Sequence, residues 1–244
     1  MKILAFDSSN QPLTVAVIDE EEILTEQTIN VRRNHSIQLM PAIDEALKQA
    51  NLTIEKIDRI AVASGPGSYT GLRIAVTVAK SLAWARDVNL VGISSLKVLA
   101  GNGSTDSDKL LVPLFNARRE NIYTGLYARD EMGALIQLEA DTHMAASEWA
   151  GFLAEKYPEK QVELIGSDAR DFLDIFTEKL GERVNLAPVS QALPRASVLA
   201  LLARDAEVED THHFVPTYLK LAEAEENWLK EHPDYEGGAF VETI

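Results

Sequence analysis

The chain has 244 residues, 46% hydrophobic and 25% charged, with 38 acidic against 23 basic side chains and a formal charge of −15. That is the composition of an ordinary globular chain with room for one large domain or two small lobes, and it lacks the basic excess with which a self-sufficient nucleic-acid binder neutralises phosphates. There is no cysteine, which excludes disulfides, thiolate metal sites and a cysteine nucleophile and fits a reducing cytoplasm.

Residues 2–7, 13–19 and 22–31 read as three short strands joined by hairpins. The opening run KILAFD stops at Asp7, so neither a signal peptide nor a membrane span is expected there. In HSIQLMPAIDEALKQAN, Leu39, Ile43 and Leu47 recur at helical spacing, with Pro41 early in the pattern. RIAVAS, 59–64, is a continuous apolar strand of the kind buried inside a sheet. A helix over Tyr69–Arg86, the strand NLVGIS and a short helix from Ser95 follow. The order β-β-β-α-β-α-β-α predicts a ribonuclease-H-like lobe.

GNGSTDSD, 101–108, is the best boundary. Beyond it, KLLVPLFNARRENIYTGLYA reads as a second hairpin with Asn116 at the turn. A helix near 147–156, a strand near 162–166 and a helix near 168–180 make a smaller lobe. PRASVLALLARDAE, 194–207, reads as an amphipathic return helix. The expected division is therefore 1–103, 108–222 and an acidic, loose tail at 223–244.

The stretch SGPGSYTGLRIA, Ser64–Ala75, resembles a phosphate loop but fails both glycine templates. Leu72-Arg73 stand where a P-loop needs Lys-Ser/Thr, and Thr70 stands where the dinucleotide fingerprint needs glycine. Two uses stay open: a tight junction that packs backbone closely, or an anion held on free N–H groups with Ser68 as N-cap. Asp7, Ser8, Gly65, Gly67 and Ser68 are the residues of such an anion or nucleotide site, expected to be vestigial because DSSN carries no glycine. None of the five histidines forms H-x-x-x-H or H-E-x-x-H, so no metal site and no cofactor are expected. Arg118 and Arg119 suit an acidic partner or phosphate, but charges are also ordinary in a hairpin turn.

The helix at 69–86 is apolar on nearly every side, so it needs cover on nearly every side. Gly71, Ala75, Ala79 and Ala83 repeat every fourth residue, and Ala42, Ala46 and Ala50 form a second small stripe on the preceding helix. The stripes predict a helix-to-helix partner surface of Ala42, Ala46, Gly71, Leu72, Ala75, Val76, Ala79 and Ala83. The bland alternative is that the two helices pack on each other. On the partner reading, Ala75→Arg or Ala79→Glu weakens a complex and leaves the lone chain folded.

ILAFDSS, NHSIQLMPAID, SGPGSYTGLRIAVTVAKSLA, VGISSL, NARRENIYTGLY and PTYLK occur in this order. Together they closely resemble the bacterial TsaB (YeaZ) family over residues 1 to about 222. The resemblance implies an actin/Hsp70/sugar-kinase (ASKHA) fold of two ribonuclease-H-like lobes, the second reduced. It implies a non-catalytic partner in making N6-threonylcarbamoyladenosine at position 37 of tRNA. The implied partners are a TsaD-type transferase and a TsaE-type ATPase, with a homodimer when alone and tRNA engaged only through the complex. TsaD-like relatives carry an H-x-x-x-H pair where this chain reads SSLKVLA, so their metal is not expected here, and nothing supports the peptidase chemistry of the older glycoprotease grouping. The alternatives are an actin-like ATPase or phosphotransferase using Asp7, and a self-contained regulatory homodimer.

Overall fold

The computed structural model describes residues 1–31 and 34–220; the acidic tail expected at 223–244 and His232 lie outside them. The first half runs β1 (Lys2–Asp7), β2 (Leu13–Asp19), β3 (Glu22–Ile29), α1 (His35–Gln49), β4 (Arg59–Gly65), α2 (Tyr69–Arg86), β5 (Asn89–Ser94) and α3 (Ser95–Ala100). The second runs β6 (Lys109–Arg118), β7 (Asn121–Arg129), β8 (Leu135–Ala145), α4 (Ala146–Lys156), β9 (Gln161–Ile165), α5 (Ala169–Leu180) and β10 (Val184–Leu186), followed by α6 (Ala196–Ala203).

The two halves repeat one topology. The sheets are ordered β3-β2-β1-β4-β5 and β8-β7-β6-β9-β10. In each, the first three strands form an antiparallel meander, and the last two add in parallel beside the first. These are two ribonuclease-H-like lobes. The second keeps all five strands but is reduced: β10 spans 3 residues, and α4 and α5, of 11 and 12 residues, are shorter than α1 and α2, of 15 and 18.

Alternation along β1 explains why both faces of the first sheet are covered. Leu4 and Phe6 join the core under α1 and α2, while Ile3 and Ala5 join the core under α6. A strand apolar on both faces is stable only between two layers. In the second lobe α4 and α5 cover one face. On the other, α3 inserts Leu96, Leu99 and Ala100 among Leu111, Phe115, Tyr127 and Ile165, which joins the lobes through one apolar cluster. A polar clasp lies beside it. Ser94 caps α3 and donates its hydroxyl to Asp141 Oδ2, while Tyr127 donates to Asp141 Oδ1 at 2.6 Å.

The amphipathic pattern at 194–207 forms a helix only over Ala196–Ala203, and it returns to the first sheet. The chain stays there. Glu209 N–H donates to Leu90 O at 2.8 Å, Phe214 packs into the first core, and Thr217 N–H donates to Ser64 O at 2.7 Å.

α6 has no capping side chain of its own, and its first amides are satisfied from far away in sequence. Ala196 N–H donates to Thr14 Oγ1 at 3.1 Å and Ser197 N–H to Glu26 Oε1 at 2.9 Å. Glu26 also accepts from the Ser197 hydroxyl and from Arg195. Burial alone pushes the Glu26 carboxyl up, but the Arg195 and Ser197 donors outweigh it and hold the carboxyl below its ordinary value. Glu26→Ala is expected to cost about 2 kcal/mol, a lost cap plus a lost charge-assisted bond, measured by urea unfolding. A carboxyl depressed in the folded state stabilises above its unfolded value and stops doing so as pH falls through its folded value. The stability gap between wild type and Glu26→Gln is therefore expected to shrink as pH drops below the ordinary 4.5.

Candidate functional site

The glycine junction between β4 and α2 lies against the loop after β1. A Cβ on Gly67 would stand 2.2 Å from Ser9 O, and one on Gly71 2.1 Å from Ser8 O. Both distances are impossible for a real side chain, so these glycines exist to admit the Ser8–Ser9 backbone. Gly65 has φ +119° and faces Thr217 O at 2.3 Å in the same way.

Several of the donors that could hold an anion are already engaged. Ser68 N–H donates to Ser9 O at 2.6 Å, and Ser68, the N-cap of α2, accepts from Gly71 N–H at 3.3 Å. Ser8 donates its hydroxyl to Gly71 O at 2.9 Å. Asp7 lies beneath this plug with no exposed surface, accepting from Ser9 N–H at 2.7 Å. Burial pushes its carboxyl above the ordinary value, against the pull of the Ser9 bonds. The structure thus brings Asp7, Ser8, Gly65, Gly67 and Ser68 together as a closely packed junction, with Asp7 Oδ2 buried and without a hydrogen-bond partner among the described residues. Of the two uses the sequence left open, close packing is the one the geometry fits.

The small-residue stripes are also turned inward. Ala42, Ala46, Gly71, Leu72, Ala75, Val76, Ala79 and Ala83 are all buried by the chain itself. The spacing was right for a packed face, but the partner that covers it is the molecule's own sheet and helix α1. The expected partner residues therefore do not lie on the surface of the chain, and a charge at Ala75 or Ala79 strikes the core.

What α1 and α2 leave outside is a different face. Ile37 is 70% and Trp84 71% exposed, with Met40 and Tyr69 also exposed. Pro41 lies inside α1 on this outer side. Between the helices Ser36, Tyr69, Arg73, Ile74, Thr77 and Val78 line a shallow groove. Exposed apolar groups thus recur on the outer sides of two adjacent helices, the kind of surface that partners cover.

A second concavity lies between the lobes, with a volume of about 330 Å³. Its walls come from the junction (Pro66, Gly67, Tyr69), the β6–β7 hairpin (Arg118, Arg119, Tyr123) and the returning segment 217–220. Asn116 is not at the hairpin turn as the sequence suggested. The turn is Arg118–Arg119–Glu120, and Asn116 supports it by accepting from Arg118 N–H at 2.8 Å. Among these residues the sequence singled out Gly67 and the two arginines. Tyr218 and Lys220 lie in the PTYLK motif, but nothing in the sequence placed them beside the Arg118–Arg119 turn a hundred residues upstream.

The family model described as "TsaD: tRNA N6-adenosine threonylcarbamoyltransferase" matches residues 22–228. The tRNA threonylcarbamoyladenosine biosynthesis protein TsaB of Bacillus subtilis is 39% identical over 230 residues, covering 94% of this chain and 99% of that one. The chain belongs to the TsaB family. Its fold is that of the family's YeaZ from Pseudomonas aeruginosa, at a TM-score of 0.74 with 24% identity over 89% of this chain and 99% of that one. Component A of (R)-2-hydroxyglutaryl-CoA dehydratase from Acidaminococcus fermentans matches with a TM-score of 0.50 and 11% identity, covering 83% and 97%, in line with an ASKHA-type pair of lobes. Among the described residues no helix is long and apolar enough to cross a membrane.

Proposed function

We propose that this chain is a non-catalytic scaffold or activator in the formation of N6-threonylcarbamoyladenosine at position 37 of tRNA. It binds a TsaD-type transferase through the outer face of α1 and α2 and works in the cytoplasm with a TsaE-type ATPase. Alone, it pairs with a second copy through the same face. The observation that carries this reading is the exposed apolar face beside a first-lobe loop already plugged by its own backbone. The face offers apolar groups to a partner, and the close packing of the first lobe's loop on its own backbone supports a role without phosphate chemistry. The naming of the Bacillus subtilis relative supplies the pathway. The net charge of −15 supports assigning most of the tRNA contact to the partners.

Depleting the protein in its host and quantifying tRNA nucleosides by mass spectrometry tests the central claim. The modified nucleoside is expected to fall with the protein, with unmodified adenosine accumulating at position 37. An undiminished level overturns the proposal.

A further inference from the structure

The chain is acidic overall, yet one place on it gathers cations. Acidic side chains outnumber basic ones 38 to 23, but the interlobe cleft is walled by Arg118, Arg119 and Lys220 with no carboxylate among its lining residues. These three form no ion pair with a carboxylate among the described residues. A concave surface lined by one sign of charge concentrates groups of the opposite sign, and this chain has acid to spare.

The turn that presents the arginines is clamped by its own surroundings. Arg118, Arg119 and Glu120 are three successive residues with positive φ, at 69°, 52° and 60°, a conformation that such side chains rarely adopt. Asn116 Oδ1 accepts from Arg118 N–H, Asn121 Nδ2 donates to Arg119 O at 3.0 Å, and Ala146 N–H donates to Glu120 O at 2.9 Å. These bonds hold the backbone and leave the guanidinium groups alone. Both arginines are exposed and line the cleft, so the turn fixes their place without using their charge.

The described residues end in the wall of this same cleft, at Lys220. The 24 residues beyond it, 221–244, carry seven carboxylate side chains against one lysine. Glu223, Glu225 and Glu226 come within six residues of Lys220. At no more than about 3.5 Å per residue, their backbone lies within roughly 20 Å of the wall. One exposed ion pair between separate molecules gains little. A tether this short keeps several carboxylates near the cations at an effective concentration on the order of millimolar, so weak pairs made together become populated. We propose that the cleft is the docking site of the chain's own acidic tail, whose carboxylates pair with Arg118, Arg119 and Lys220. Tyr69, Tyr123 and Tyr218 also line the cavity and offer ring surfaces to Trp228 and Tyr235 of the tail. Tyr69 lines the groove between α1 and α2 as well, so a tail seated in the cleft abuts one end of the partner face.

Paramagnetic relaxation enhancement on the full-length chain tests this. The sequence has no cysteine, so Gly237→Cys carries a single nitroxide in the tail. The amide signals of residues 118–121 are expected to lose about half their intensity or more at low salt and to regain it near ~1 M salt, where screening shortens to about 3 Å. The broadening is also expected to disappear with Arg118→Glu and Arg119→Glu together. It is expected to disappear equally when Glu223, Glu225, Glu226 and Glu231 are all changed to glutamine, which leaves every described residue untouched. Circular dichroism verifies that the arginine variant folds. The proposal is overturned if the turn is broadened no more in the parent chain than in these two variants. A mixture of nitroxide-bearing chain with isotope-labelled chain free of nitroxide separates the occupants. An unbroadened turn in that mixture assigns the chain's own tail, and a broadened one assigns the tail of a second copy and overturns the proposal. No partner protein is present in the sample, so a failure here leaves the proposed TsaD-type docking standing.

Discussion

Thr77→Arg, on the outer face of α2, is expected to abolish co-elution with a TsaD-type partner while the lone chain keeps its circular dichroism and melting temperature. Thr77 is exposed and lines the groove between Ile74 and Tyr69. In the free chain the arginine head stays in water and costs almost nothing. In a complex that covers the groove, the same charge is stripped of water with no carboxylate to meet it, at a cost of about 3–5 kcal/mol. That corresponds to a loss of roughly a hundredfold or more in affinity. Ile37→Glu, one helix away and 70% exposed, should act in the same direction. Size-exclusion chromatography of mixed proteins reads both. Undisturbed co-elution in both variants would remove the docking face from α1 and α2. Ala75→Arg makes the instructive contrast. Ala75 has no exposed surface, so that variant fails by unfolding, and its failure says nothing about partners.

Gly71→Ala and Gly151→Ala, the same one-methyl change on two helices, are expected to have opposite signs. At Gly71 the new carbon would lie 2.1 Å from Ser8 O, a backbone atom of the buried loop that cannot swing aside. Either α2 lifts from the β1–β2 loop or the loop is expelled, and the two hydrogen bonds that join them go with it. A loss of about 3 kcal/mol or more is expected, among the largest that single substitutions produce. At Gly151, inside α4, an added Cβ meets nothing within 4 Å. Removing a helical glycine there should stabilise the chain by about 0.5–1 kcal/mol. Thermal melts of the pair decide it. A Gly71→Ala variant as stable as wild type would show that the glycine serves something other than the close approach of two backbones.

The pattern of strands and helices was legible because hydrophobic periodicity is local. The helix at Tyr69–Arg86 follows from its own residues, as do the buried strands at 2–7 and 59–64. The meaning of the small-residue stripe was not legible. Gly71, Ala75 and Ala79 declare that something comes close, and nothing in their spacing says whether it is a partner or the molecule's own sheet. The exposed set, Ile37, Met40 and Trp84, is scattered in sequence and becomes a face only when α1 and α2 are placed side by side. The cleft is less legible still. Tyr69, the Arg118–Arg119 turn and Tyr218 lie on three segments separated by tens of residues, and folding alone makes them neighbours. The end of α6 shows the same limit, since its amphipathic pattern continues to 207 while the helix stops at Ala203. Beyond that point Arg204 pairs with both Asp205 and Glu21.

The repeated sheet order gives the molecule two equivalent turns, one after β1 and one after β6, facing the same cleft from opposite halves. They have taken opposite courses. The first is welded to α2 by Gly67 and Gly71, and the second stands proud with its arginines forward. With α3 and the Ser94–Asp141 clasp bracing the halves, this is a vice with one jaw filled and the other fixed open. Arginines therefore reach the cleft from the second lobe alone. Whatever occupies it should come and go rapidly, with residence governed by ionic contacts and stacking and without the slow opening step of a closing kinase.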